Sequence, residues 1–309
     1  MRPYRVLAAA AGIAEEDAIA RIRRLQAGPV RQIGGVFDPC LLGYRSAALL
    51  MECAPSGAAE FAEASSRHPW VVRTSLCDPS GTVWLWLALP DNADLQWEAE
   101  RLAGLQPVRS MVVMPIAAVY RAPVERRGAP PAQWREIEPH GQVESLPTEF
   151  ERRAIRVLQR DLPLSEWAFD DLAARVGCGL TARGLVRVGR EFMARGWLRR
   201  YGAVMRLPRR GEEVSAIGAW RVPDTGASSV AARIARVPGV VEAAVLEGCS
   251  CWWPYNIVAE VDGHNTAECG SILKAASAVA PDCPRTSVAE VQDLKRARPR
   301  FYFREPTAA

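Results

Sequence analysis

A run of arginines around a tyrosine, a second tyrosine beside an amide, and one loop histidine are the residues whose types and spacing could do chemistry. Arg199, Arg200 and Arg206 flank Tyr201 in the segment Arg199-Arg200-Tyr201-Gly202-Ala203-Val204-Met205-Arg206. A guanidinium is planar and permanently charged, so such residues can hold carboxylates two oxygens at a time. Tyr201 and Tyr255 could each give a proton or a hydrogen bond; the plain alternative is a half-buried packing residue with its hydroxyl at the surface. Asn256 is more informative, because an amide in an otherwise apolar run needs a partner. Trp253-Pro254 could wall a flat ligand or simply fill a core. Of the three histidines, His264 follows Gly263 and could donate a proton or bind iron, against the reading of a turn histidine beside Asn265. His68, before Pro69, and His140, in a Pro-rich stretch, are weaker candidates. Cys249-Ser250-Cys251 has no second pair to complete four ligands, so no metal site is expected, and the other cysteines read as core fillers.

These residues must be positioned by a chain of 309 residues that is 49% hydrophobic and 24% charged. That is enough apolar surface to bury a core, which excludes disordered, collagenous and coiled-coil classes. The net charge of +4 carries no function by itself, and of 39 basic residues all but Lys274 and Lys295 are arginine. So strong a bias discounts any single arginine patch. No run approaches the roughly 18 to 20 apolar residues of a membrane span. Met1-Arg2-Pro3-Tyr4-Arg5 lacks the apolar region of a signal peptide, and eight scattered cysteines suit a reducing compartment, so a cytoplasmic location is expected.

The chain repeats itself after about 150 residues. Arg2 to Gly12 lies over Trp167 to Gly177, and Val30-Arg31-Gln32-Ile33-Gly34-Gly35-Val36 lies over Leu198-Arg199-Arg200-Tyr201-Gly202-Ala203-Val204. Each match contains a helix, a Gly-containing turn, a second helix (Ile19, Ile22, Leu25; Leu185, Val188, Phe192) and a strand. The second copy also has an opening helix, with Thr148 and Glu151 spaced as a capping box. The first begins at Pro3, where that helix should already have ended, which predicts a truncated winged domain or a misassigned Met1.

Downstream, strand Ala47–Cys53, helix Ala58–Ser66, a hairpin of Trp70–Leu76 and Val83–Leu89 turning at Asp78-Pro79-Ser80-Gly81, helix Leu95–Leu105 and strand Val108–Tyr120 are predicted. The second half repeats them as Val214–Val222, Ala227–Arg236, Val240–Leu246, Tyr255–Val261, Thr266–Ala280 and Thr286–Asp293. The predicted fold class is α+β, a tandem repeat of a winged helix-turn-helix and a ferredoxin-like βαββαβ domain. The boundaries are 1–38 and 39–121, a Pro/Gly-rich linker over 122–147, then 148–209 and 210–309.

This arrangement resembles the leucine-responsive regulatory protein architecture, and more narrowly the siroheme decarboxylase family. The residues that carry the resemblance are Arg199 to Arg206, Trp253-Pro254-Tyr255-Asn256, Arg31 to Pro39, and Leu42-Gly43-Tyr44-Arg45-Ser46. The resemblance implies a lyase of heme d1 or alternative heme biosynthesis that removes carbon dioxide from two acetate side chains of siroheme, giving didecarboxysiroheme. It implies no cofactor beyond the iron tetrapyrrole, which itself accepts the electron pair. It further implies catalytic Tyr201, Tyr255 and His264, and substrate contacts from Arg199, Arg200, Arg206, Trp253, Asn256 and Arg45. Two subunits that pair elsewhere would be fused here as a pseudo-dimer, with homodimerisation and other heme-pathway partners left open. The chain departs from the family at Arg206-Leu207, where Arg-His is usual, and on the strands Val72 to Cys77 and Val241 to Leu246, which lack the usual His- or Cys-containing cluster. In the first half Thr82-Val83-Trp84-Leu85-Trp86 replaces the Tyr-Asn pair.

The competing function is DNA binding by a transcriptional regulator. Residues 151–210 hold 14 Arg and 6 acidic residues, a local charge of +8, as a DNA reader requires. The would-be recognition helix, Leu180 to Arg195, offers Arg183, Arg187 and Arg190 but few base-reading side chains. The first winged copy opens on the acidic Glu15-Glu16-Asp17, and two unlike copies do not match a palindromic operator. DNA therefore ranks below the tetrapyrrole, and a non-catalytic tetrapyrrole-binding subunit ranks third.

Overall fold

The computed structural model describes residues 2–28, 30–77, 81–121, 136–137, 145–176, 179–205, 214–248, 250–288, 291–297 and 299–303. In chain order the elements are α1 (Pro3–Ala11), α2 (Glu15–Gln26), β1 (Val30–Phe37), β2 (Tyr44–Cys53), α3 (Pro55–Ser66), β3 (Val71–Cys77), β4 (Thr82–Pro90), α4 (Leu95–Ala103), β5 (Val108–Arg121) and β6 (Glu136–Ile137). There follow α5 (Glu149–Leu158), α6 (Ala168–Val176), α7 (Ala182–Ala194), β7 (Leu198–Met205), β8 (Val214–Trp220), α8 (Ala227–Ile234), β9 (Val240–Leu246), β10 (Ile257–Gly263), α9 (Thr266–Ser277), β11 (Arg285–Val288) and β12 (Val291–Arg296). The fold is α+β. No described helix is long and apolar enough to cross a membrane.

The chain divides into two compact units that alternate along the sequence. The first gathers residues 1–43, 142–208 and 300–309, so the helical segments of both sequence repeats share one body. Its centre is a two-stranded sheet, β1 antiparallel to β7, with Gly34 opposite Gly202 and Gly35 opposite Tyr201. The capping box forms: Thr148 accepts from the Glu151 amide while the Glu151 carboxylate accepts from that of Thr148. After α5 the chain runs directly against the first repeat, where Leu162 N donates to Ile33 O at 2.7 Å and Ile33 N to Asp161 Oδ1 at 2.8 Å. Gly34 permits this approach, because a Cβ there would stand 2.6 Å from the Arg160 carbonyl oxygen. Phe301 is buried edge-on against Phe37.

The second unit, residues 44–141 and 209–299, holds one ten-stranded sheet in the order β11-β8-β10-β9-β5-β2-β4-β3-β12, with β6 on β5. Side chains alternate between its faces. Ala47, Leu49 and Met51 of β2 pack with Phe61 of α3 and Leu102 of α4, and Ala216, Val240 and Val261 pack with Ile234 of α8 and Leu273 of α9. The other faces meet each other: Ala48, Leu50, Trp84 and Met114 of the first half lie against Ile217, Ala244, Leu246, Trp253 and Val258 of the second.

Two strands carry the exchange between halves. The start of β5 pairs with β2 and its end with β9. In the second half the single strand expected over Thr286–Asp293 is two strands: β11 pairs with β8, whereas β12 crosses to β3. A run that must serve two partners facing different ways breaks between them. Tyr255 and Asn256, expected inside a strand, precede β10 in a loop. Of the predicted hairpin turn, residues 78–80 lie outside the described residues. Gly81 closes it at φ +72°, a conformation costly for residues with a Cβ. Of the expected linker, 122–135 and 138–144, with Pro123, Pro130, Pro131, Pro139 and His140, also lie outside the described residues.

Candidate functional site

In the first unit, β7 presents Arg199, Arg200 and Tyr201 in succession. The Arg199 guanidinium holds Asp38 through Nε at 3.0 Å and a terminal nitrogen at 2.5 Å. Arg200 is exposed and donates to the Ala203 carbonyl at 3.1 Å. The Tyr201 ring lies 5.5 Å from that of Phe169, and its hydroxyl is buried with no hydrogen-bond partner among the described residues. Burial raises its pKa well above the ordinary phenol value, reinforced by Tyr4 and Asp161. Tyr4, fully buried, instead spends its hydroxyl on Pro163 O at 3.1 Å. Arg206 lies outside the described residues.

In the second unit, Trp253 sits edge-on to Trp84 at 5.2 Å and to Tyr255 at 5.0 Å. Trp253 is buried, Tyr255 half-buried, and neither the Trp84 nor the Trp253 indole N–H has a partner among the described residues. Asn256 turns away from this cluster. Its Nδ2 donates to Val222 O at 2.8 Å and Asp224 Oδ1 at 2.9 Å, while its Oδ1 accepts from Val222 N at 2.9 Å. The amide thus completes the backbone after β8. Asn256→Ala should lower the unfolding free energy by about 2 kcal/mol, because two buried backbone groups lose their partner; urea denaturation checks this.

Arg45 donates to Ala93 O at 2.5 Å, and strand alternation places it on the helix-covered face of β2, opposite that shared with Trp253. His264 is exposed at the start of α9, where its Nδ1 and backbone N both lie 2.7 Å from Glu268 Oε2 and Asn265 caps the helix. It stands apart from Tyr255 as a helix-terminus residue. Cys249 lies outside the described residues, and Cys251 is an exposed free thiol. No group of three or more His, Cys, Asp or Glu among the described residues is arranged to hold a metal ion.

The most strongly charged buried cluster was not singled out from the sequence. Arg73 of β3 grips Glu260 of β10 with both terminal nitrogens, at 2.6 and 2.5 Å, and lies 3.7 Å from Glu242 of β9. All three are over nine-tenths buried. They line a cavity of about 10 Å³ with Trp84, Trp86 and Val258, room for about one water. The available signal was a lone glutamate in each of two apolar strands, Val240–Leu246 and Ile257–Val261.

No family model matches the chain. It is similar to the siroheme decarboxylase of Hydrogenobacter thermophilus, with 25% identity over 305 residues covering 98% of this chain and 90% of that protein. It is also similar to the siroheme decarboxylase beta subunit of Desulfovibrio desulfuricans, with 24% identity over 124 residues, 40% of this chain and 77% of the subunit. Crystal structures of the siroheme decarboxylase NirDL, alone and in co-complex with an iron-uroporphyrin III analogue, superpose with a TM-score of 0.73. Their identities are 23% and 24%, covering 98% of this chain and 89% of theirs.

Proposed function

We propose, from the premise that the chain is a homologue of siroheme decarboxylase along nearly its whole length, that it is a lyase removing carbon dioxide from siroheme. The end-to-end similarity carries this reading: 98% of the chain aligns, so the match covers both units. Each sequence half is read as a winged helix-turn-helix followed by a ferredoxin-like βαββαβ body. The match of one subunit to 40% of the chain supports two fused halves forming a pseudo-dimer.

Decarboxylation breaks the bond between an acetate methylene and its carboxylate carbon. The electron pair passes into the macrocycle and the methylene carbon then takes a proton. Tyr201 is our choice for the donor, since its hydroxyl is buried and stays protonated through neutral pH. The exposed Arg200 is suited to a rim carboxylate, though as the next residue of β7 it faces the opposite side of the strand from Tyr201. Arg199 serves Asp38, and His264 serves the start of α9.

Anaerobic incubation with siroheme, followed by mass analysis of the extracted tetrapyrrole, tests the function. A product lighter by two carbon dioxide units is expected; an unchanged mass overturns it. Tyr201→Phe tests the donor. Removing an unpartnered buried hydroxyl should leave stability unchanged or raised by about 1 kcal/mol, while turnover falls at least 100-fold. Wild-type turnover in that variant would exclude Tyr201.

One observation favours nucleic acid instead: Arg183, Arg187 and Arg190 are all exposed along α7. Arg187 faces Glu191 at 3.7 Å, which reduces the charge of the stripe. Absence of any siroheme binding would bring this reading forward.

A further inference from the structure

The residues that meet at the Arg73 cluster occupy equivalent positions of the two sequence halves. In the first hairpin Val71 pairs with Leu87 and, after one register irregularity, Arg73 pairs with Trp86 and Ser75 with Trp84. In the second, Val240 pairs with Val261 and, after an irregularity at the same place, Glu242 pairs with Glu260 and Ala244 with Val258. The shared irregularity fixes the alignment. Arg73 corresponds to Glu242, Trp84 to Val258 and Trp86 to Glu260, and all six line one cavity. The strand exchanges obey the same approximate two-fold relation, since β5 reaches β9 as β12 reaches β3. In a symmetric dimer the six positions would hold three residue types, each twice. Here every equivalent pair has diverged in charge or in size.

We propose that these six positions decide which half pairs with which, selecting first with second and rejecting both like-with-like arrangements. Pairing two first halves would bring two Arg73 guanidiniums together in a buried space and crowd four indoles where two are accommodated. Pairing two second halves would gather four carboxylates from Glu242 and Glu260 with no guanidinium from the equivalent positions. Specificity of this kind comes from penalties on the wrong partner as much as from contacts with the right one. Buried like charges supply a large penalty. The device keeps chains built of two related halves from associating through like halves. The inference is independent of the proposed reaction.

Two full-length variants test it. In Arg73→Glu, both halves become acidic at the cavity; in Glu242→Arg/Glu260→Arg, both become basic. Each alone should show a thermal midpoint lowered by more than 5 °C and loss of the compact monomer. Refolded together, they should form a one-to-one mixed dimer in native mass spectrometry, each half meeting an oppositely charged half from the other chain. A third chain with all three reversals restores complementarity internally and should recover the monomer. A wild-type midpoint in Arg73→Glu overturns the proposal. So does failure to form the mixed dimer when the triple reversal folds, or failure of the triple reversal itself.

Discussion

Arg73→Met is expected to cost about 3 to 5 kcal/mol of folding free energy, the typical effect of removing one partner from a buried ion pair. Glu260 loses both of its bonds to the guanidinium, and Glu242, directly across the β9–β10 ladder, remains beside it. Like charges opposed on neighbouring strands repel, and little water reaches them to screen the repulsion. Extending the change to Arg73→Met/Glu242→Leu/Glu260→Met should return most of the loss, because an apolar set of similar volume leaves no buried charge. Urea denaturation midpoints of the three proteins check both steps. Equal midpoints for wild type and the single variant would mean that the cluster is energetically idle.

The second large effect is acid sensitivity at His68. Its imidazole is buried between the turn into β3 and α4, with Nδ1 accepting from Trp70 N at 3.3 Å and Nε2 3.3 Å from Glu98. Burial lowers its pKa from 6.5 to about 4, helped by the nearby charges of Arg101 and Lys295. Glu98 would favour the charged form, but it is already held by Arg101 at 2.9 and 3.1 Å, so burial dominates. The folded state therefore keeps His68 neutral, whereas the unfolded chain protonates it near pH 6.5. Its contribution to stability is complete above pH 6.5 and is lost as pH falls toward 4, amounting to about 3 kcal/mol. His68→Asn keeps the acceptor for Trp70 and cannot protonate. Between pH 7 and pH 4 the wild type should lose about 3 kcal/mol more than this variant; parallel losses would contradict the assignment.

Periodicity and local chemistry explain what could be read in advance. Strand-length apolar runs in Ala47–Cys53 and Val83–Leu89 located β2 and β4, and the Thr148–Glu151 spacing located the cap of α5. Asn256 was correctly expected to need a buried partner, since an amide among apolar residues has few other stable solutions. What was missed depends on distant neighbours. Arg73 and Glu260 are 187 positions apart, and neither strand carries a mark of the other's charge. Thr286–Asp293 shows no turn signal at its break, because the division into β11 and β12 is imposed by their partners, β8 and β3. Trp253, in the loop before β10, packs onto the face of β2 shared with Trp84, whereas strand parity puts Arg45 on the other face, and that parity depends on register as well as on residue type.

Strand β11 ends one extreme of the sheet order and β12 the other, yet only residues 289 and 290 lie between them, and β12 also lies against β8. The ribbon of strands is therefore brought round on itself by the chain's own backbone. Most open sheets must guard their margins with lysines, prolines or bulges against fibrous growth. In this protein the long apolar strands are paired along both edges, β2 by β4 and β5 and β4 by β2 and β3, so the two ends of the order are left to the short β11 and β12.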